Sequence, residues 1–150
     1  MKTFTQWLEE AAPSMKRPSI THVLTDDNES PENKIQALNR HSVTSDDLHT
    51  ALNGHDRTVK LAVLRQHPKV ESDHLHTALN DPHPLVRFAA INHPSVDATH
   101  NAKGLADPHP AIRAAAMAHH TVTKDQATAG LDSSNHQIVR DAAKKKLSEF

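Results

Sequence analysis

Fourteen histidines in a chain of 150 residues that contains no cysteine pose the first chemical question. Imidazole ligates metals, shuttles protons and changes its charge near neutrality. The spacing decides among these uses. His55, His83, His109 and His136 recur as one column, and His67, His93 and His119 as a second. Parallel helical units stack about 10 Å apart, whereas a metal needs its ligand atoms about 2 Å away. A ladder with one histidine per unit therefore closes no metal site without help from a second column. His74 and His76 lie two apart on a helix and diverge. The His-Pro and Pro-His-Pro pairs read instead as punctuation at helix ends, where a ring nitrogen meets a free backbone group. Protonation would add up to 14 positive charges, so the surface is expected to respond to pH.

A second column is basic: Lys60, Arg87, Arg113 and Arg140. Cations at one level of successive helices are suited to tracking a phosphate backbone. Against that reading, tyrosine is absent and Phe88 is the only aromatic residue within the repeats, so bases have nothing to stack on. Catalysis has less support. No G-x-S-x-G turn orders a nucleophile, and the three glycines, Gly54, Gly104 and Gly130, are too far apart to cradle a phosphate. Asp46 and Asp47 suit the first turn of a helix, where acids meet the positive end of its dipole. A cysteine-free chain has no thiolate zinc site, iron–sulfur ligation or disulfide. No catalytic, metal or cofactor-binding residue is expected, and no cofactor.

The elements that carry these columns are set by internal repetition. Val59, Val86, Ile112 and Val139 recur at steps of 27, 26 and 27 residues. Val43, Val70, Val96 and Val122 recur at 27, 26 and 26, and Leu52, Leu79, Leu105 and Leu131 follow each by nine. Each unit reads as two short helices. The first has Ser45, Ser72, Asp97 or Thr123 as candidate cap, because a side-chain oxygen satisfies free N–H groups there. It presents Leu48 and Leu52, or Leu75 and Leu79, on one face, and Asp81-Pro82 and Asp107-Pro108 stop it. The second starts at Pro84 or Pro110, where the missing N–H costs nothing. Val86, Ala89 and Ala90 form its apolar stripe, repeated as Ile112, Ala115 and Ala116 and as Val139, Ala142 and Ala143.

Residues 28–42 resemble a degenerate first copy, with Ile35, Ala37 and Leu38 as its apolar face and Asn33 where later copies have valine. The closing DAAKKKLSEF turns charged, which suits a terminal cap. The fold class expected is all-α, a right-handed helical-repeat solenoid of about four to five two-helix units of ~26 residues. Residues 1–24 form an N-terminal amphipathic segment and 25–150 the repeat domain. No apolar run approaches the ~18 residues a membrane span requires. With a formal charge of −1, no global attraction to nucleic acid or membrane is expected, and the chain reads as soluble.

The stretch DPHPLVRFAAINHPSVDATHNAKGLADPHPAIRAAAMAHH is similar to the leucine-rich-repeat-variant family and to short HEAT-like repeats, over residues 55–143. That resemblance implies a helical solenoid acting as a binding scaffold. It also implies that the arginine bridges an aspartate of the preceding turn: Asp81 with Arg87, and Asp107 with Arg113. The iron–sulfur module of some such proteins has no ligands here, and the glycosylase activity of others would need an aromatic-walled pocket. The N-terminal MKTFTQWLEEAA resembles the capsid-targeting peptide of internal head proteins of large tailed bacteriophages, whose protease cuts after Leu/Ile-x-Glu. Leu8-Glu9-Glu10 followed by Ala11 fits, which makes Glu10 and Ala11 the expected processing site. The same residues also read as a plain amphipathic helix, with Phe4, Trp7, Leu8 and Ala11 on one face.

The function expected is a non-enzymatic scaffold for a protein partner, either a phage structural component or a host protein. Its expected location is the host cytoplasm and the capsid interior of the virion. Lys60, Arg87, Arg113, Arg140, His83 and His109 are the candidate interaction or structural ladder. The competing reading is a nucleic-acid-binding module using the basic column. No membrane partner is expected, and the chain reads as a monomer or weak homo-oligomer.

Overall fold

The computed structural model describes residues 19–39 and 42–150. These residues form ten helices and no strand: α1 (Ile20–Thr25), α2 (Pro31–Leu38), α3 (Ser45–Asn53), α4 (Arg57–Gln66), α5 (Ser72–Leu79), α6 (Pro84–Ile91), α7 (Ala98–Leu105), α8 (Pro110–Met117), α9 (Lys124–Ala129) and α10 (Gln137–Leu147). Glu10 and Ala11 lie outside the described residues, as does most of the amphipathic segment assigned to 1–24. α1 crosses the expected boundary at 24/25 and packs on α2 and α3.

Local chemistry explains the boundaries. Pro31, Pro84 and Pro110 open α2, α6 and α8 at the first helical position, where a fixed φ and a missing N–H suit the helix. The caps of two helices differ from the sequence expectation. Thr44, not Ser45, caps α3: its hydroxyl accepts the Asp47 N–H at 3.2 Å, and Asp47 Oδ2 accepts the Thr44 N–H at 3.0 Å. Glu71, not Ser72, precedes α5, and its N–H is taken by His74 Nδ1 at 3.0 Å. Both serines are first helical residues, because the reciprocal bond from the third helical position fixes the start one residue earlier. Asp97 and Thr123 cap α7 and α9 as expected.

The helices are too short to persist alone, since most helical stability at this length comes from packing an apolar face. Each odd helix packs on the even helix that follows it. The even helices α2, α4, α6, α8 and α10 pack in succession, as do α1, α3, α5 and α7. The core runs between the two rows. Val59, Val86, Ile112 and Val139 are buried, as are Val43, Val70, Val96 and Val122. Leu48 and Leu75 are fully buried, each contributing about 1.5–3 kcal/mol relative to exposure.

The leucine column fades along the chain. Leu52 and Leu79 are buried, Leu105 is partly buried, and Leu131 is exposed. The core divides at the same place. One cluster runs from Leu24 to Ala116, and a smaller one holds Met117, Val122, Ala127 and Ala143. α7 and α9 make little contact.

Small residues set the approach of the two rows. Ala51, Ala78, Gly104 and Gly130 share one level, and a Cβ on Gly104 would lie 2.5 Å from Ile91 Cδ1 and 3.0 Å from Ala116 Cβ. A Cβ on Gly130 would meet Met117 Cε at 2.6 Å and Ala143 Cβ at 2.8 Å. Among the described residues no helix is long and apolar enough to cross a membrane.

Candidate functional site

The basic column lies one turn into α4, α6, α8 and α10, where each stripe of apolar residues places the next residue beside the turn of a neighbouring unit. Lys60 Nζ meets Asp81 Oδ2 at 2.5 Å, with both side chains almost fully enclosed. Arg87 grips Asp107 with two parallel bonds, Nε to Oδ2 at 2.7 Å and Nη2 to Oδ1 at 3.1 Å. Such forked, charge-assisted contacts are stronger than neutral hydrogen bonds. The carboxylate partner therefore differs from the expected one. Arg87 turns to the Asp107 of the following unit, and its contact with the preceding turn is Nη1 donating to the carbonyls of Asp81 (2.9 Å) and Pro82 (3.1 Å). Arg113 makes the same carbonyl contacts with Asp107 (2.8 Å) and Pro108 (3.0 Å), and forms no ion pair with Asp107. Arg140 Nη1 donates to Asn135 O at 2.6 Å and Ser133 O at 3.2 Å.

The charges respond as this geometry requires. The Asp107 hydrogen bond holds the Arg87 guanidinium above its ordinary range. Burial pushes the Asp107 carboxyl up, but the Arg87 bond, the His109 N–H and the nearby positive charge outweigh it and leave it below the usual carboxylate range. Lys34 is a member of this column that the sequence reading missed. It stands at the same helical position in α2 and is buried. Counting back 26 residues from Lys60 reveals it.

The histidines fall into three environments. His83, His109 and His136 precede α6, α8 and α10, and each Nδ1 accepts the N–H two residues on, at 3.2–3.3 Å. Ahead of α4 this task passes from His55 to Asp56, which accepts from Thr58 and Val59. His83 Nε2 also lies 2.8 Å from Arg57 Nη1. Because arginine only donates, and a neutral ring accepts at one nitrogen, these two contacts compete for the His83 ring.

The second column closes the even helices. His67, His93 and His119 turn Nδ1 to the N–H of Lys69, Ser95 and Thr121. Burial lowers the pKa of all three rings. Lys69 and His74 add to it at His67, and His120 and Lys146 at His119.

The third environment has no counterpart in the sequence reading. His74 and His100 are buried at the third position of α5 and α7, where α3 has Asp47 and α9 has Gln126. His74 Nδ1 takes the Glu71 N–H, and Nε2 lies 3.1 Å from Ser45 O of the unit before. His100 Nε2 lies 3.0 Å from Ser72 O. With Nε2 donating, one ring closes its own helix cap and ties it to the preceding helix. The 26- to 27-residue beat of Asp47, His74, His100 and Gln126 was the available signal. Among the described residues no three histidines or carboxylates come together as a metal site.

These positions define a hydrogen-bonded seam between successive helix pairs. It leaves the outer faces of the even helices open, where Leu85 and Phe88 of α6 and Ile138 of α10 are exposed. Comparison with family models, with curated proteins and with solved structures returns no match to this chain.

Proposed function

We propose that the chain is a helical-repeat solenoid of four to five two-helix units that serves as a non-enzymatic scaffold for a partner protein. The alternating packing of the two helix rows and the 26- to 27-residue columns support the architecture. The observation that carries the binding reading is the apolar pair Leu85 and Phe88, one turn apart on the solvent side of α6 and 50% and 39% exposed. An exposed aromatic and aliphatic pair is suited to anchor a small interface centre. Lys60 and Arg87 are occupied by Asp81 and Asp107, which weighs against the nucleic-acid reading.

A photo-crosslinking residue at Phe88, followed by reconstitution of the captured protein with the purified chain, tests the scaffold reading. A dissociation constant raised at least tenfold by Leu85→Ser with Phe88→Ser supports it. Unchanged affinity in that variant refutes this surface. The bacteriophage accessory or virion-associated reading rests on the Met1–Ala12 peptide alone. Mass spectrometry of purified particles tests it: an N-terminus at Ala11 supports it, and absence of the chain from particles refutes packaging.

A further inference from the structure

One rung of the ladder of cations and carboxylates has a cation and no carboxylate. Lys60 meets Asp81 and Arg87 meets Asp107 across successive turns. Asp81 and Asp107 stand five residues before the buried Val86 and Ile112; five before Val59 stands Gly54, which has no side chain. Lys34 is the cation that this position would serve, at the level of Lys60 one unit back. It is only 8% exposed. Its ammonium has no hydrogen-bond or carboxylate partner among the described residues, whereas those of Lys60, Lys69, Lys103 and Lys146 each have one. An enclosed charge without its partner is costly and calls for an explanation.

That ammonium is reachable. The side-chain atoms sealed from solvent without a partner, among the described residues, are Asn101 Oδ1 and Arg113 Nε; Lys34 Nζ is not one of them. Lys34 lines an open cavity of about 830 Å3 whose wall includes the turn from Asn53 to Asp56, the counterpart of the turn that supplies Asp81 to Lys60. Three carboxylates, Asp27, Glu29 and Asp56, share the wall, with Leu24 and Pro31 as apolar surface. Glu29 Oε1 accepts from Asn33 Nδ2 at 2.5 Å and Asp56 Oδ1 from the Thr58 N–H at 2.8 Å. A plain anion would meet three negative charges and one positive, and a plain cation would meet Lys34. A molecule carrying both charges is complementary to the whole wall.

We propose that the cavity between α1, α2, α3 and the start of α4 binds a small zwitterion of the α-amino-acid class. Its carboxylate takes Lys34 Nζ in place of the aspartate that Gly54 omits, its ammonium lies among Asp27, Glu29 and Asp56, and an apolar side chain rests on Leu24 and Pro31. The site is separate from the exposed face of α6 and does not rest on the partner-protein reading. A free amino acid and a short peptide with both ends free share this chemistry, and the experiment separates them.

The backbone amide signals of Lys34 and His55 in 15N-labelled protein are followed by NMR at neutral pH during four titrations. The probes are leucine, leucylglycine, N-acetylleucine, which keeps only the carboxylate, and leucinamide, which keeps only the ammonium. The expected result is a saturable shift with leucine or leucylglycine. Each single-charge analogue should bind roughly tenfold weaker or worse, since it loses one charge-assisted contact. Leucine at least as tight as leucylglycine assigns a free amino acid, and tighter leucylglycine assigns a peptide.

Lys34→Met keeps the length of the side chain without its charge. Because it removes an enclosed, unpaired cation, it should raise the melting temperature while weakening leucine binding by roughly tenfold or more. Gly54→Asp supplies the carboxylate within the chain. Gly54 has φ −64° and ψ 175°, and a Cβ there meets only the backbone oxygens of Ala51 at 3.3 Å and Thr50 at 3.6 Å, so the aspartate fits. It too should raise the melting temperature and displace the ligand. No saturable shift with leucine or leucylglycine, a single-charge analogue as tight as the zwitterion, or binding unchanged in Lys34→Met or Gly54→Asp overturns the proposal.

Discussion

The buried fork between Arg87 and Asp107 should be the strongest single electrostatic tie between units, and a double-mutant cycle measures it. Asp107 accepts from Arg87 Nε at 2.7 Å, from Arg87 Nη2 at 3.1 Å and from the His109 N–H at 2.8 Å. The two side chains are only 13% and 6% exposed. Asp107→Asn keeps an acceptor for His109 but leaves an enclosed guanidinium without its counter-charge. Breaking a buried pair by removing one partner costs about 3–5 kcal/mol. The amide retains one contact, so about 3 kcal/mol is expected here, a large part of the roughly 5–15 kcal/mol that holds a domain together. Urea unfolding of the parent, Asp107→Asn, Arg87→Met and the double variant should give a coupling of about 2 kcal/mol, insensitive to added salt. The Lys144–Asp141 pair is the internal control: at 3.9 Å, with side chains 66% and 59% exposed, it should couple by no more than about 0.5 kcal/mol. A coupling at Arg87–Asp107 as small as the control would refute the argument that this column ties the units. The sign of the pH effect follows from the depressed Asp107 carboxyl: its stabilisation is complete above about pH 4 and is lost as pH falls through the lower folded value.

Three further outcomes are expected. Burial lowers the pKa of His67, His93 and His119, so their contribution is full above the ordinary value of about 6.5 and is lost as pH falls through the folded values; the melting temperature should drop between about pH 7 and 5. Replacing all three with Asn, whose amide oxygen also accepts the N–H two residues on, should flatten that drop in thermal scans. Gly104→Ala places a Cβ 2.8 Å from Ile91 Cγ1 and 3.0 Å from Ala116 Cβ. The net loss should be about 1–2 kcal/mol, overpacking outweighing the gain in helix propensity, whereas Gly54→Ala, whose Cβ would meet only backbone oxygens at 3.3 and 3.6 Å, should change denaturation by less than about 0.5 kcal/mol. His74→Leu removes the acceptor for Glu71 N–H and the donor to Ser45 and should cost about 2–3 kcal/mol, while His74→Gln, copying Gln126, should cost about 1 kcal/mol in the same assay.

Much of the helical pattern was legible in the residues because it is written in local chemistry. Proline at the first helical position, an oxygen-bearing cap and an i, i+3, i+4 apolar stripe act within one or two turns of chain. The valine columns repeat because each of their members is buried between the two helix rows, whereas the leucine column loses its burial toward Leu131. Two caps were misplaced by one residue because the capping bond is reciprocal, and its second half, from Asp47 or His74, must be found before the first can be assigned.

Only the packing of one helix row on the other decided which charges meet. The resemblance to HEAT-like repeats made Asp81, six residues back, the expected partner of Arg87, yet Asp81 offers Arg87 its carbonyl while its carboxylate goes to Lys60, 21 residues back. Stacking sets the carboxylate of the following turn against Arg87 Nε and Nη2 while the carbonyls of the preceding turn take Nη1, and no spacing in the sequence records that division. Spacing sorts seven of the fourteen histidines into two columns, but it does not record their surroundings. Their distances from neighbouring helices separate the cap-forming rings at His83 and His109, the half-enclosed ones at His67 and His93, and the buried pair at His74 and His100. Arg113 Nε belongs to the same class of fact: only the packing of the surrounding helices leaves it a buried donor without a partner while Nη1 keeps its two carbonyls.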